Sequence, residues 1–158
     1  MLTAAALFCF ALLALALLLQ HRFNMQPCSW CVLQRLVYLA TGGACALAAW
    51  SPGGRWVRTA GALLAGLLSI GGLAAALQQH FVAARSSSCA MTLADRIVMQ
   101  LSLHELAPWM FMPTAPCSEA NLPLAGVPFA LWSAAAFLLL AAACAWVLWS
   151  VAARRRRV

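Results

Sequence analysis

The sequence predicts an all-α membrane protein: a membrane-embedded four-helix bundle with a long loop between its third and fourth helices. Of its 158 residues, 65% are hydrophobic and 8% are charged, whereas an ordinary soluble domain has about 25% charged residues. The apolar residues also gather into four runs, each close to the roughly 20 residues that a helix needs to cross a bilayer. A helix satisfies its own backbone hydrogen bonds, so such runs are expected to be helical in lipid.

Each run corresponds to one predicted helix, and the chain length predicts one domain over residues 1–158. The helices are expected at residues of about 2–20, 30–50, 58–79 and 127–150. Pro128 suits the first turn of the last helix because its ring fixes a helical φ. The first run lacks the basic start and the small-residue cleavage site of a signal peptide, so we expect it to remain as a membrane helix.

Arginine placement predicts the orientation. Arg55 and Arg58 lie in the short connection between the second and third helices, and Arg154–Arg157 lie near the end of the chain. These places fall on one side of a four-helix chain, which the positive-inside rule makes cytoplasmic, with both termini there. The segments of about 21–29 and 80–126 then lie on the outer side. The net charge of +7 reflects this topology and anionic lipid, and we expect no nucleic-acid partner.

The seven cysteines divide between two environments. Three lie within predicted helices, with no partner thiol evident: Cys9, Cys45 and Cys144. A buried cysteine of this kind behaves as a small hydrophobic residue. The other four are Cys28, Cys31, Cys89 and Cys117. All four fall on the predicted outer side, where an oxidising compartment allows disulfides to persist. This segregation points to thiol chemistry or to structural disulfides.

Four cysteines allow three disulfide pairings. A ring closed by Cys28 and Cys31 would be very tight, and cross-linking so short a loop yields little stabilisation. Short or strained disulfides tend instead to be oxidising and exchangeable. Two alternatives stay open: disulfides that only staple loops, and a zinc site, although only the first pair has the spacing of zinc ligands.

The residues around the tight pair favour a reactive sulfur. Pro27 prevents a helix from continuing into this segment from the N-terminal side, so the second helix is expected to begin near Cys28 or Ser29. Cys31 then lies in the first turn, where unpaired N–H groups and the helix dipole favour an anion and hence a reactive thiolate. Arg35 follows one turn later on the same face. It could simply extend towards the lipid headgroups, but an ionisable group at membrane depth is a functional candidate, here for holding an anion or a ligand oxygen.

The outer loop carries further expectations. His80 ends the third helix at the depth of the tight pair, as a ligand or as an ordinary interfacial residue. The stretch "LADRIVMQLSLHEL" predicts a short helix that lies on the membrane. In "APWMFMPTAP", Trp109, Met110, Phe111 and Met112 are expected to lie in the membrane interface, with Trp109 as the anchor; a partner-binding patch is the alternative.

These features resemble the DsbB family, the four-helix disulfide-bond formation proteins of bacterial inner membranes. The resemblance rests on "PCSWCVLQR" at the head of the second helix, on the separated Cys89 and Cys117, and on "CSEANLPLAGVPFALW" before the last helix. It spans essentially the whole chain. It implies a multi-pass thiol:quinone oxidoreductase of the inner membrane that takes two electrons from a periplasmic DsbA-like thiol oxidase and passes them to a quinone of the ubiquinone or menaquinone type.

The resemblance also implies an order of thiol exchange on the periplasmic side. Cys89 and Cys117 match the pair that meets the partner, and Cys28 and Cys31 match the pair beside the quinone. The partner attacks at Cys89, the freed Cys117 attacks Cys28, and Cys31 is released towards the quinone. From the residues themselves, the charge of Glu119 is expected to disfavour a thiolate at Cys117, which also favours Cys89 as the sulfur that meets the partner.

Two site residues outside the cysteines follow from the resemblance. Arg35 matches the quinone-contacting arginine, and His80 matches a histidine implicated at the same site. Two rival classes stay open. One is a related thiol–quinone protein with a dedicated partner or the reductive direction. The other is a non-enzymatic membrane protein with structural disulfides or a role in metal handling.

Overall fold

The computed structural model describes residues 1–85, 91–120 and 123–155. The helices are α1 (Leu2–Phe23), α2 (Ser29–Trp50), α3 (Gly54–Phe81), α4 (Leu93–Gln100), α5 (Leu103–Leu106), α6 (Pro108–Phe111), α7 (Cys117–Ala120) and α8 (Phe129–Arg155). Within the described ranges, four of these are long and apolar enough to cross a membrane, namely α1, α2, α3 and α8. The predicted all-α fold with four long apolar helices is confirmed, and the chain is a multi-pass membrane protein.

Local sequence explains where the helices begin and end near the tight cysteine pair. Asn24 ends α1 in the left-handed conformation, with a φ of 52°, which asparagine tolerates better than most residues. Cys28 has an extended backbone and precedes the first residue of α2, Ser29, as Pro27 predicts. We call this end of the bundle, where α1 and α3 end and α2 and α8 begin, the cysteine-pair end.

A short hairpin leads into α8. Strands β1 (Pro123–Leu124) and β2 (Val127–Pro128) pair antiparallel, and Ala125 and Gly126 turn between them with positive φ. Because this pairing holds Pro128 in an extended strand, α8 begins only at Phe129. The prediction that Pro128 lies in the first turn of the helix is therefore wrong by a single position.

The long helices are packed unevenly. α2 packs against α1 and α3, and α3 also packs against α8, whereas α1 and α8 touch each other little. Small residues permit the close contacts: a Cβ atom added at Gly72 of α3 would collide with the ring of Phe137 in α8. Phe137 in turn stacks on Tyr38 of α2, with ring centroids 4.2 Å apart. The loosely closed seam between α1 and α8 leaves space for a cavity.

The segment between α3 and α8 covers the cysteine-pair end. The predicted short helix exists as α4, which buries Ala94 and Val98 and packs against α2. Trp109 is 58% exposed, as an interfacial anchor would be, but Met110 and Phe111 are buried and pack in one cluster with Val98. The expectation that all of these loop residues lie in the membrane interface is therefore wrong for Met110 and Phe111.

Candidate active site

Cys28 and Cys31 lie together at the start of α2. Both are buried, and their sulfur atoms are 3.4 Å apart. Cys31 is in the first turn, which a hydrogen bond from the N–H of Val32 to the carbonyl of Cys28 (2.9 Å) closes. The first N–H groups of a helix have no partner within it, and the dipole favours negative charge there. The position of Cys31 therefore suits a thiolate, as its sequence position predicts.

Cys117 brings a third sulfur to this pair. It begins α7, is half-buried, and packs against the cluster that contains Cys28 and Cys31. Its thiol shares a hydrogen bond with Cys28, which also bonds to Cys31. Cys28 thus touches a sulfur on either side. The fourth predicted cysteine, Cys89, lies outside the described residues.

The hydrogen bond between Cys28 and Cys117 makes the thiol of Cys117 more acidic and that of Cys28 less acidic. The side-chain hydrogen bond with Cys117, then the hydrogen bond with Cys31 and burial, raise the pKa of Cys28. The same bond lowers the pKa of Cys117, against burial, and a backbone hydrogen bond from Trp30 acts in the same direction. The expectation that Glu119 makes a thiolate at Cys117 unfavourable is therefore wrong: the charges that oppose this thiolate are those of Cys31 and Asp95, and the hydrogen bond with Cys28 outweighs them.

Two glutamines that the sequence reading did not single out complete the surroundings of Cys31. Nε2 of Gln79, on α3, lies 3.2 Å from the sulfur of Cys31. Nε2 of Gln34 donates to Oε1 of Gln79 at 2.7 Å, and both glutamines are buried. Their signal in the sequence is that each is an uncharged polar residue inside an otherwise apolar helix, directly before Arg35 or His80.

Arg35 is enclosed by protein. It is 5% exposed, and its Nη1 donates to Oε1 of Gln20 at 2.6 Å and to the carbonyl of Met110 at 2.8 Å. These bonds join α2 to α1 and to α6. An arginine that extends to the headgroups would not be held in this way, so the structure does not fit the headgroup alternative for Arg35. Arg35 lines the same cavity as Cys31.

That cavity has a volume of about 380 Å³ and lies in the seam between α1 and α8. Its walls are mostly apolar, and the polar residues Cys31, Gln34 and Arg35 line it at the cysteine-pair end. Tyr38 and Ser133 lie further along the wall, with their hydroxyl oxygens 3.0 Å apart. The cavity can therefore hold an apolar molecule with a polar group directed at Cys31 and Arg35.

His80 is placed differently from its neighbour Gln79. It is half-buried, and its ring meets the ring of Phe81 edge-on with centroids 4.8 Å apart. It is not among the described residues that line the cavity. Successive residues of a helix point about 100° apart, so the rotation of α3 that directs Gln79 at Cys31 turns His80 to another face.

Asp95 links the cysteine pair to the segment that follows Cys89. Its carboxylate accepts a hydrogen bond from the hydroxyl of Ser29, between the two cysteines, and accepts bonds from the N–H and hydroxyl of Thr92 at 2.8 and 2.6 Å. Burial opposes the charged form, but the bonds from Ser29 and Thr92 prevail and lower the pKa of Asp95. The charged carboxylate therefore fastens the start of α4 to the start of α2.

The three cysteines predicted to be isolated in the helices also meet. Cys9, Cys45 and Cys144 are fully buried in one core cluster, and Cys45 shares a hydrogen bond with Cys144. The expectation that they lack a partner thiol is wrong, because α1, α2 and α8 place them at one depth. Within the described ranges, no group of three or more histidine, cysteine or acidic side chains is arranged to hold a metal ion.

Comparison with known proteins gives consistent matches. The family model described as "DsbB: Disulfide bond formation protein DsbB" matches residues 1–147. Disulfide bond formation protein B of Shewanella amazonensis is 33% identical over 135 residues, which cover 84% of this chain and 79% of that protein. Disulfide bond formation protein B 1 of Pseudomonas syringae pv. syringae is 35% identical over 134 residues, with shares of 84% and 79%. No solved structure matched the chain. The family match includes every candidate site residue.

Proposed function

Because the chain belongs to the DsbB family, we propose that it is a disulfide-generating thiol:quinone oxidoreductase. It reoxidises a DsbA-like thiol oxidase and passes the two electrons through the pairs Cys89/Cys117 and Cys28/Cys31 to a membrane quinone. The observation that carries this proposal is the position of Cys28. Its sulfur meets Cys117 on one side and Cys31 on the other, and Cys31 faces an apolar cavity.

The exchange begins at the pair Cys89/Cys117. A partner thiolate attacks Cys89, a bond between the partner sulfur and Cys89 forms, and the Cys89–Cys117 bond breaks with its electron pair on Cys117. A backbone hydrogen bond from Trp30 to Cys117 supports this step, because it stabilises negative charge on the sulfur and so makes that sulfur the better leaving group. The second cysteine of the partner then releases the oxidised partner from Cys89.

The second step transfers the charge to Cys31. The Cys117 thiolate attacks Cys28, a Cys117–Cys28 bond forms, and the Cys28–Cys31 bond breaks with its electron pair on Cys31. The helix N-terminus and the amide of Gln79 (3.2 Å) both favour negative charge at Cys31. Cys89 later displaces Cys28 from Cys117, which restores the first pair.

The cavity suits a quinone as the acceptor. When bound, a quinone supplies a two-electron sink that allows Cys28 and Cys31 to close their disulfide again. Leu12 and Trp132 are among the apolar side chains that would enclose a flat ring and its isoprenoid chain. Arg35 would donate to a ring oxygen and stabilise negative charge there, because its planar guanidinium has five donor groups.

The proposed orientation in the membrane depends on which end of the bundle holds the thiols and which holds the arginines. The described site residues and α4–α7 lie at the cysteine-pair end, while Arg55 and Arg58 lie at the opposite end, at the start of α3. With that arginine-rich end in the cytoplasm, the thiols face the periplasm across a bacterial inner membrane, where a DsbA-like partner would meet them. Reporter fusions test this: one after Arg58 should read cytoplasmic, and one near Ser87 should read periplasmic.

The decisive experiment follows quinone absorbance with the purified protein, a reduced DsbA-like partner and ubiquinone or menaquinone. We expect quinone to be reduced in proportion to the partner disulfide formed, and Cys45→Ala to behave as the wild type. Quinone that stays oxidised while the partner stays reduced would contradict the proposal and favour structural disulfides. Reduction of the partner by quinol alone would instead assign the reductive direction.

A further inference from the structure

Two buried amides form a short chain of hydrogen bonds that ends on a reacting sulfur. Gln79 is 0% exposed and Gln34 is 4% exposed. Gln34 donates to Oε1 of Gln79 at 2.7 Å, and Nε2 of Gln79 faces the sulfur of Cys31 at 3.2 Å. The two residues belong to neighbouring helices, α2 and α3, which pack closely. The amide group at Cys31 is therefore held by the packing of the bundle.

The chain of bonds has a defined direction. A side-chain amide accepts at its oxygen and donates at its nitrogen. Because the oxygen of Gln79 accepts from Gln34, its NH₂ group is the one presented to Cys31. Gln34 thus determines which end of Gln79 meets the sulfur. An uncharged amide inside a bundle of apolar helices is costly unless its groups are bonded, and these two bonds give each glutamine a partner.

The bond to Cys31 depends on the state of the sulfur. Sulfur in a thiol is a weak acceptor, while a hydrogen bond to an ionised group is roughly twice as strong as one between neutral groups. The N–H of Gln79 therefore stabilises Cys31 most when the sulfur carries the charge. An amide also gives up no proton near neutral pH, so it stabilises the thiolate without protonating it. A protonated histidine in the same place could transfer its proton to the sulfur.

We propose that Gln79 is a catalytic hydrogen-bond donor that holds Cys31 as a thiolate once the Cys28–Cys31 bond breaks, and that Gln34 positions it. The inference rests on the proposed function, in which Cys31 leaves with the electron pair. The proposal gives the two residues separate roles: Arg35 binds the molecule in the cavity, and Gln79 stabilises the negative charge on the sulfur of Cys31. Loss of Gln79 should therefore slow the chemistry of Cys31 even when no quinone is present.

The test is alkylation of Cys31 by iodoacetamide in the fully reduced, quinone-free protein, with each cysteine followed by peptide mass spectrometry. Gln79→Leu should slow alkylation of Cys31 about tenfold at pH 7, the effect of one charge-assisted hydrogen bond. The difference should close at high pH, where the thiol ionises in either protein. Gln78→Leu is the matched control, because Gln78 is the exposed neighbour on the same helix, and it should leave the rate unchanged.

Gln34→Leu adds a test of the positioning role. It keeps the amide that meets Cys31 but frees it to rotate, so alkylation at pH 7 should slow by a factor of about two to three, again with no difference at high pH. This variant also decides the matter if Gln79→Leu does not fold. A wild-type rate of alkylation in both variants would overturn the proposal. So would a slowing that is equal at pH 7 and at high pH, because it would mean that iodoacetamide reaches Cys31 less easily rather than that the thiol ionises less. The assay contains neither quinone nor partner, so its result is independent of the proposed function.

Discussion

In the described part of the chain, buried or half-buried thiols form two groups of three, and the surroundings of these two groups differ. The site triad is Cys28, Cys31 and Cys117, and the core triad is Cys9, Cys45 and Cys144. Members of the site triad touch the amide of Gln79 and a backbone hydrogen-bond donor at Trp30. The core triad lies among apolar side chains such as Phe137 and Leu140. Proximity of sulfurs is common to both groups, so it does not by itself distinguish them.

Helix α2 contains both kinds of cysteine. Cys31 lies in its first turn, while Cys45 lies in its interior, fourteen residues further, which is about 21 Å along the axis. At Cys31, unpaired N–H groups and the helix dipole favour an anion. At Cys45 the surrounding N–H groups are bonded within the helix, so nothing offsets the cost of burying a charge. The position along the helix distinguishes the two sulfurs.

The largest expected effect comes from removing a sulfur of the site triad. Cys28→Ser should abolish partner-dependent quinone reduction, with a loss of at least about a thousandfold, because a hydroxyl cannot form the exchangeable bond to Cys117 or Cys31. Turnover is measured from quinone absorbance in the presence of reduced partner. Cys45→Ala, on the same helix, is the matched control and should stay near the wild-type rate. Substantial turnover in Cys28→Ser would show that electrons take another route.

The next effect concerns which loop cysteine meets the partner. Cys117 is half-buried and engaged with Cys28, so we expect the partner to be captured on Cys89. A DsbA-like partner that lacks its second active-site cysteine cannot resolve the mixed disulfide, which should accumulate on a non-reducing gel. Peptide mapping should identify Cys89, and Cys89→Ser should remove the adduct. An adduct mapped to Cys117 would reverse the assignment.

Arg35→Gln should have an intermediate effect. Loss of a donor to a developing negative charge should raise the apparent KM for quinone about tenfold or more, while both disulfides still form. Arg35→Lys should rescue only in part, since an ammonium lacks the planar set of donors. Quinone titrations at fixed partner concentration measure the effect. An unchanged KM would show that the bonds of Arg35 to Gln20 and Met110 serve only to join helices.

These contrasts also show what the sequence could and could not predict. Apolar runs identify the long helices, and Pro27 places Cys31 in a first turn, since both depend on local composition. The choice between Gln79 and His80 depends on the rotation of α3 about its axis, which packing against α2 determines. Met110 and Phe111 are apolar in either environment, so their sequence cannot distinguish burial in protein from burial in lipid.

The same limit applies to the thiols. Glu119 is close to Cys117 in sequence, but the acidity of that sulfur depends on Cys28, which is distant along the chain. The meeting of Cys9, Cys45 and Cys144 depends on the depth and tilt of three helices. Local sequence therefore predicts where a reactive helix terminus lies, and tertiary packing decides which side chains face it.

Asp95→Asn should produce a smaller, pH-dependent effect. The pKa of Asp95 is lowered from its usual value of 3.8, so its charged form stabilises the fold above pH 3.8, and this contribution is lost as the pH falls through the lower pKa of the folded state. Asp95→Asn should therefore lower the Tm by a few degrees at neutral pH, and the difference should shrink at about pH 3. Thermal unfolding at several pH values measures this. A difference that persists undiminished at low pH would show that the charge of Asp95 does not matter.

The smallest effect is expected in the core triad. Cys9→Ala, Cys45→Ala and Cys144→Ala each remove one sulfur from a packed core, which should cost about 1 kcal/mol of stability by lost contacts. Turnover should stay within about twofold of the wild type, because none of these three cysteines is among the described residues that line the cavity, and they lie in a different core cluster from Cys28 and Cys31. A double-mutant cycle between Cys45 and Cys144 sharpens the comparison: their contact predicts coupling in stability, with no coupling in turnover. A folded variant that lost most of its turnover would show that the core triad takes part in the chemistry, and the distinction between the two triads would fail.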